Sequence, residues 1–269
     1  MDTIFDSTYY SKASYPPPWD DYISKRVPIA IRDALYWCEY VVMSNQLLNA
    51  SLRRLVSYFI TEVEITEVER KEQERIKDYL YDTLFLDTIL FAIGMDYLTY
   101  GNSFVSVYNP VIRVVTCPKC KFVTNFLPYA LQRDSDFSYN HGEFKLHCNR
   151  CGYTGAWITR CLKNTREDLL NVIRWNVHDI ELNHDPFSGR VQYIWKIPAE
   201  YKGPIESSSA LHLAYAPDSV LSAIETNSDY LFDFDQILHL YEPALAGLRV
   251  YKWGLSPILA NFRQTWYIE

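Results

Sequence analysis

Four of the six cysteines stand in two Cys-x-x-Cys pairs, Cys117-Pro118-Lys119-Cys120 and Cys148-Asn149-Arg150-Cys151-Gly152. A Cys-x-x-Cys turn delivers two thiolates to one ion while its amides point at the sulfurs, and two such turns supply the four soft ligands that Zn²⁺ takes at tetrahedral corners. Cys117, Cys120, Cys148 and Cys151 are therefore read as the ligands of one zinc ion. Four protein ligands leave no position for water or substrate, so the expected zinc is structural and not catalytic. A thioredoxin-like redox pair or four unrelated core cysteines are the competing readings, and neither calls for two knuckles in one short segment. The segment between the pairs is longer than the usual ribbon spacing, but Asn140-His141-Gly142 gives it a hairpin signal that would bring the second knuckle back to the first. His141 and His147 are the only substitute ligands nearby and are read as bystanders.

Other chemistry is thinner. His178-Asp179 and His184-Asp185 are ligand types, yet they fall at strand ends and turns, where His and Asp occur for ordinary reasons. Cys38 and Cys161 lack any local nucleophile signature and read as small core residues. There is no Gly-x-Ser-x-Gly, no phosphate-binding Gly-Lys-Ser/Thr and no dinucleotide fingerprint, so no enzyme can be assembled from the motifs.

Charge bears on partners. Between Cys117 and Cys151 the bases are Lys119, Lys121, Arg133, Lys145 and Arg150 and the acids are Asp134, Asp136 and Glu143, which leaves +2. Four thiolates around one Zn²⁺ add about −2, so the module is close to neutral and a poor clamp for phosphate. The whole chain, 269 residues with a formal net charge of −7, argues the same way against general nucleic-acid coating. A hydrophobic share of 48% against 22% charged is the mix of a folded protein, and the excess lies in aromatics, with Tyr 22, Phe 13 and Trp 7. Paired Cys-x-x-Cys motifs point to a reducing compartment. No signal peptide follows Met1, and the most apolar run, Leu84 to Met95, is interrupted by Asp87 and too short to span a membrane, so synthesis in the cytosol is expected.

The elements that must position the cysteines follow from periodicity. Residues 1–27, with Tyr9-Tyr10 and Tyr15-Pro16-Pro17-Pro18-Trp19, read as an extended arm. From Pro28, at the first helical turn, the series Ile31, Leu35, Cys38, Val42, Leu48, Leu52, Leu55 and Phe59 predicts one helical face. Thr66-Glu67-Val68-Glu69 reads as a capping box, opening a second helix that runs to Tyr100, has a buried far half and stops at Gly101-Asn102. The run Glu67 to Asp78 mixes both charges and reads as a solvated face. Strands are expected at Ser103–Tyr108, Val111–Thr116, Asn176–Asn183, Arg190–Ile197 and Phe234–Leu240, with Asp185-Pro186-Phe187-Ser188-Gly189 as a turn. Helical turns are expected at Asp168–Arg174, Pro217–Glu225 and from Leu255-Ser256-Pro257 onward. Helices alternating with hairpins give an α+β class.

Three segments resemble the portal proteins of tailed bacteriophages. They are Ile93-Gly94-Met95-Asp96-Tyr97-Leu98-Thr99-Tyr100-Gly101-Asn102-Ser103-Phe104-Val105, similar to the family's helix ending in a Tyr-Gly-Asn step, and Trp175 to Asn183 with Asp185 to Gly189 and Tyr193 to Pro198, similar to its wing hairpin. The third joins Asp235-Gln236-Ile237-Leu238-His239-Leu240 to Tyr251-Lys252-Trp253-Gly254-Leu255-Ser256-Pro257-Ile258, similar to the strand and Gly-x-Ser-Pro helix start that lead to the stem. The resemblance implies a portal-like wing with a zinc ribbon inserted. Its parts are an arm at 1–27, a helical and β wing part at 28–116, the ribbon at 117–151, a β-rich wing part at 152–254 and the start of a stem helix at 255–269. The clip, second stem helix and crown have no counterpart here.

It also implies a non-enzymatic virion protein made in the host cytoplasm, a homododecameric ring at one capsid vertex. Its partners would be the major capsid protein, the large terminase subunit and the head-tail adaptor, with DNA passing through unread and no membrane involved. Gly101, Asn102, Gly254 and Pro257 would be architectural. The alternative is a zinc-ribbon protein of another kind, nucleic-acid-associated or a scaffold for interactions.

Overall fold

The computed structural model describes residues 31–60, 64–132, 137–140, 142–163, 170–185, 187–243 and 252–260. The expected arm at 1–27, Pro28 at a helix start, His141 and the stem helix beyond Ala260 lie outside them. The class is α+β. The chain divides into two compact units, one containing the residues up to Val105, Arg174–His178 and those from Leu238 onward, the other Ser106–Ile173 and Asp179–Ile237. This division interleaves along the sequence, so residues 28–116 and 152–254 each contribute to both units, whereas 117–151 falls wholly within the second.

In the first unit the helical periodicity from Ile31 builds two helices, α1 (Ile31–Ser44) and α2 (Gln46–Phe59). The break is Asn45, whose backbone is extended and whose Oδ1 accepts the Leu48 N–H at 2.9 Å. An Asn there satisfies one of the donors a helix start leaves orphaned, which favours a new start over continuation. The break also resets the face. Leu35, Cys38, Val42 and Leu52 are buried as expected, but Leu55 is 40% and Phe59 73% exposed, because α2 turns Leu52 and Val56 inward. Trp37, Val41, Val42, Leu52 and Ile258 form a buried cluster, with Leu48, Met95 and Leu98 packed on it.

The capping box does not form. Glu67 has φ 66, and the next helix, α3 (Arg70–Asp78), starts after Glu69 without a side-chain cap. The single helix expected through Tyr100 is likewise interrupted, by a π turn at Tyr79–Thr83 and a left-handed Phe85, before α4 (Leu86–Tyr100). Only Thr99 of α4 is fully buried, so its expected burial is half-burial. The charged helix α3 buries nothing, as a solvated face should. Gly101 ends α4 in the left-handed conformation, φ 70, with its N–H on the Tyr97 carbonyl at 2.8 Å, as the Gly101-Asn102 stop requires.

Strand β1 (Asn102–Tyr108) leaves that cap. The sheet order β11-β1-β7 joins it to β7 (Asn171–Trp175) and to β11 (Leu238–Tyr241), which pairs antiparallel with Asn102 opposite Tyr241. The short helix expected at Asp168–Arg174 is therefore strand from Asn171 onward. The strand expected at Phe234–Leu240 begins only at Leu238, after Gln236 N–H closes a turn on the Asp233 carbonyl.

The second unit contains a five-stranded antiparallel sheet in the order β3-β2-β6-β5-β4: β2 (Val111–Thr116), β3 (Val123–Asn125), β4 (Phe137–Asn140), β5 (Glu143–His147) and β6 (Thr154–Lys163). Its buried side chains include Val115, Phe126, Phe144, Leu146, Trp157 and Leu213. A smaller sheet, β10-β9-β8, holds β8 (Ile180–His184), β9 (Val191–Trp195) and β10 (Tyr230–Leu231). The β8–β9 turn forms as its sequence dictates, with the Asp185 carboxylate accepting the Phe187 and Ser188 N–H groups and Gly189 at φ 67. Short helices α5 (Phe126–Ala130), α6 (Ala199–Glu206), α7 (Ala210–Tyr215) and α8 (Asp218–Glu225) complete the unit, and of these only α8 carried a sequence signal. In the first unit a last helix, α9 (Pro257–Ala260), follows Ser256. Among the described residues no helix is long and apolar enough to cross a membrane.

Candidate metal centre

The two cysteine pairs occupy equivalent turns. Thr116 pairs with Val123 between β2 and β3, leaving residues 117–122 as a loop; His147 pairs with Thr154 between β5 and β6, leaving residues 148–153, a loop of the same length. Pairing of β2 with β6, with Thr116 opposite Ile158, sets the two hairpins side by side. Inside each loop the hydrogen bonds repeat. Cys117 N–H donates to Phe122 O at 2.9 Å and Lys121 N–H to Cys117 O at 3.0 Å, while Cys148 N–H donates to Tyr153 O at 2.7 Å and Gly152 N–H to Cys148 O at 2.9 Å. The equivalent residues Lys121 and Gly152 share the left-handed conformation, φ 60 and φ 67. Gly152 announces that geometry in the sequence, and Lys121 does not, since a side chain in this region costs energy.

The four Sγ atoms lie within 4.8 Å of one another, and they are the one group of three or more possible ligands that converges among the described residues. Cys117 and Cys151 are 3.7 Å apart at sulfur, and Cys120 and Cys148 3.6 Å. A tetrahedral ion with bonds of about 2.3 Å to sulfur requires about 3.8 Å between ligands, whereas a disulfide would need about 2.05 Å. The spacing can therefore hold a metal ion and is too wide for a disulfide bond. Cys117 and Cys148, the first of each pair, are fully buried, while Cys120 is at the surface and Cys151 half-buried.

Electrostatics points the same way. Burial opposes ionisation of Cys148, but the backbone N–H groups of Arg150 and Cys151 and the thiols of Cys151 and Cys120 outweigh it and bring the thiol down to about 7. Cys151 is pushed up to about 12, by burial first, with the thiols of Cys120, Cys148 and Cys117 adding to it. One thiolate forms readily, and four at this spacing need a cation among them.

Comparison of the chain with protein-family profiles, curated proteins and solved structures returns no match. The site is therefore argued from its own geometry.

Around the cysteines stand residues without a sequence signal. Tyr129, on α5, donates its hydroxyl to the His147 carbonyl at 2.6 Å and accepts the Asn149 N–H at 3.0 Å, so it fixes the approach to the second knuckle. Arg150 lays its guanidinium over the Phe122 ring at 4.2 Å, tying one knuckle to the other. Arg113, 1% exposed, reaches from β2 to three acceptors, Leu213 O, Ala216 O and Asp218 Oδ1, at 2.7 to 2.8 Å, and packs over Phe144. Tyr139 of the β4–β5 hairpin donates to the Glu225 carboxylate, and its carbonyl accepts Ser208 Oγ at 3.2 Å. The cysteine-bearing hairpins are thus bonded to α5, α7 and α8.

The other candidates behave as ordinary residues. His147 bonds Thr154 through Nδ1 at 2.8 Å and contributes nothing to the cluster. His178 is held by Glu39 at 2.8 Å and stacks on Tyr36, and Asp185 is occupied by its turn, so neither His-Asp pair belongs to a ligand cluster. Cys38 is buried, which pushes its thiol up to about 11; burial also raises Cys161, which sits beside Asp218.

Proposed function

We propose that this chain is a structural ring subunit of the portal type, placed at one vertex of a tailed-phage capsid, and that Cys117, Cys120, Cys148 and Cys151 hold Zn²⁺ as a folding staple. One observation carries the first part. Two of the three segments that resemble the portal family, the first and the third, 152 residues apart at Asn102 and Gly254, meet at a single buried side chain, Asn102, which is fully enclosed. Its Oδ1 accepts the Gly254 N–H at 2.7 Å, and its amide donates to Gly254 O and Tyr100 O, each at 2.9 Å. His239, from the strand of the third segment, reaches the same Oδ1 at 3.1 Å. Close by, Ser256 Oγ donates to Leu98 O at 3.1 Å, so the helix start at Pro257 is bonded to the helix that ends at Gly101. A Tyr-Gly-Asn step and a Gly-x-Ser-Pro step that interlock in this way fit a joint from which a stem helix is launched.

The work of such a subunit is mechanical. The ring nucleates the shell of major capsid protein, docks the large terminase subunit during packaging, passes DNA without reading it and afterwards holds the head-tail adaptor. A net charge of −7 suits a conduit, because attraction to phosphate would slow translocation. Zinc is the metal favoured by four thiolates at tetrahedral separations. Its place in hairpins bonded to α5, α7 and α8 favours a rigid staple over a swinging DNA arm.

A second reading, a zinc-ribbon protein that associates with nucleic acid or scaffolds other proteins, draws on the exposure of Lys119, Lys121 and Arg150 at the knuckles. Electron microscopy of the purified chain separates the two. A ring with a central channel supports the portal reading, while a monomer with salt-sensitive DNA binding replaces it with the second. Elemental analysis of the same sample tests the metal, with about one zinc per chain expected and none refuting it.

A further inference from the structure

We propose that the outward face of α1 and α2 is the surface on which a second copy of this chain docks. Tyr36, Tyr40 and Met43 are spaced four and three apart, one stripe along α1, and Leu47 opens a second exposed stripe in the first turn of α2, after the Asn45 break. Tyr58 lies three helical turns beyond Leu47 on the same side of α2, and Phe59 is next to it. All six are exposed, Met43 at 76% and Leu47 at 65%, while the opposite sides of both helices supply the buried cluster around Trp37 and Leu52. At roughly 200 Å² per large side chain, these six together expose on the order of 750 Å² on two consecutive helices. A stable interface takes about 800 Å² from each partner, which is the area the face offers.

Composition agrees. Interfaces favour Tyr, Met and Arg over Lys, and α1 and α2 together hold three arginines, Arg32, Arg53 and Arg54, and no lysine. In the same unit α3 has the opposite character, RKEQERIKD, and buries nothing. Two of the rings are also fixed in advance. Tyr36 stacks on His178 with centroids 4.0 Å apart, and Arg54 Nε donates to the Tyr58 hydroxyl at 2.8 Å. Rings already held lose little freedom on docking, which is the property of an anchor.

Taking the occupant to be another copy rests on the ring reading above, and the test keeps the two apart. Oligomer size is measured by light scattering from about 1 to 50 µM for the wild type, Met43→Arg, Leu47→Glu and, as a control on another exposed aromatic, Phe187→Ser, which alters a side chain 98% exposed at the β8–β9 turn. Both face variants put the favoured charge at a helix end, a cation in the last turn of α1 and an anion in the first turn of α2, so folding is retained. Circular dichroism and the unfolding midpoint check this. The expected result is a wild type and a Phe187→Ser that assemble, with association at least tenfold weaker in each face variant. Face variants that assemble like the wild type overturn the interface; if they form channelled rings, the portal reading survives without it. A wild-type dimer that the variants abolish keeps the interface and removes the ring. A wild type monomeric throughout overturns the interface, including one that floats with neutral lipid vesicles instead.

Discussion

Gly254→Ala gives the sharpest test of the Asn102 joint. A Cβ on Gly254 would stand 1.9 Å from Gly101 O, 2.7 Å from Glu242 N and 3.0 Å from Glu242 O. All three are backbone atoms, so no side chain can rotate away, and ordinary contact requires a shift of about 1.5 Å. A shift of that size breaks the bonds that span the joint. Gly254 N–H to Asn102 Oδ1 is 2.7 Å, Asn102 Nδ2 to Gly254 O is 2.9 Å and Glu242 N–H to Gly101 O is 2.8 Å, and each would pass hydrogen-bonding range. Three bonds at about 1 kcal/mol each, with a buried amide left partly unsatisfied, bring the loss to about 3–5 kcal/mol. Against a total stability of about 5–15 kcal/mol, this is a fifth or more. Urea unfolding followed by tryptophan fluorescence reads it directly, since Trp253 is adjacent and packs edge-on against Phe104. A loss below about 1 kcal/mol would show that the joint yields freely and would refute the reasoning.

Four further outcomes are expected. Burial holds His239 down to about 4 from an ordinary 6.5, so the unfolded chain takes up a proton first; stability falls by about 3 kcal/mol as pH drops from 7 to 4, and His239→Gln flattens that slope in denaturation curves. Burial, resisted by Arg174, raises Asp96 to about 6 from 3.8, so this group's contribution is complete below pH 3.8 and lost as pH rises through 6; Asp96→Asn gains up to about 3 kcal/mol at pH 8 and nothing at pH 4. Cys117→Ser or Cys148→Ser, each removing a buried ligand, abolishes the bound metal measured by elemental analysis and lowers the melting temperature, as does chelation of the wild type; unchanged metal content would sink the site. Lys121→Gly relieves the left-handed strain at φ 60 and raises the unfolding free energy by about 1 kcal/mol, while a loss would show that the lysine side chain matters more than its backbone.

The four-cysteine cluster was legible because its chemistry is local. Two Cys-x-x-Cys turns and Gly152 carry their geometry within six residues, and Gly101 at the end of α4 does the same for a helix stop. The β8–β9 turn was readable for a similar reason, since Asp185 bonds only to its own turn. Helix boundaries were less legible. Periodicity marks an inward face but not where the chain breaks it, so Asn45 split one stripe into two and left Phe59 in solvent. Thr66 and Glu69 have the right residues for a capping box, but the left-handed Glu67 between them delays the helix to Arg70.

By itself the sequence determined the α+β class and the four-cysteine group Cys117, Cys120, Cys148 and Cys151, each pair of which is held by interactions between neighbours in the chain. The tertiary structure alone decided that Asn102 closes on Gly254, that Arg113 is buried against Leu213, Ala216 and Asp218, and that Tyr129 steadies the second knuckle. Only the fold showed that the tyrosines of α1 face outward. The physical reason is common to all four: each depends on which distant surface arrives beside the residue, and residue type with local spacing records nothing of that arrival.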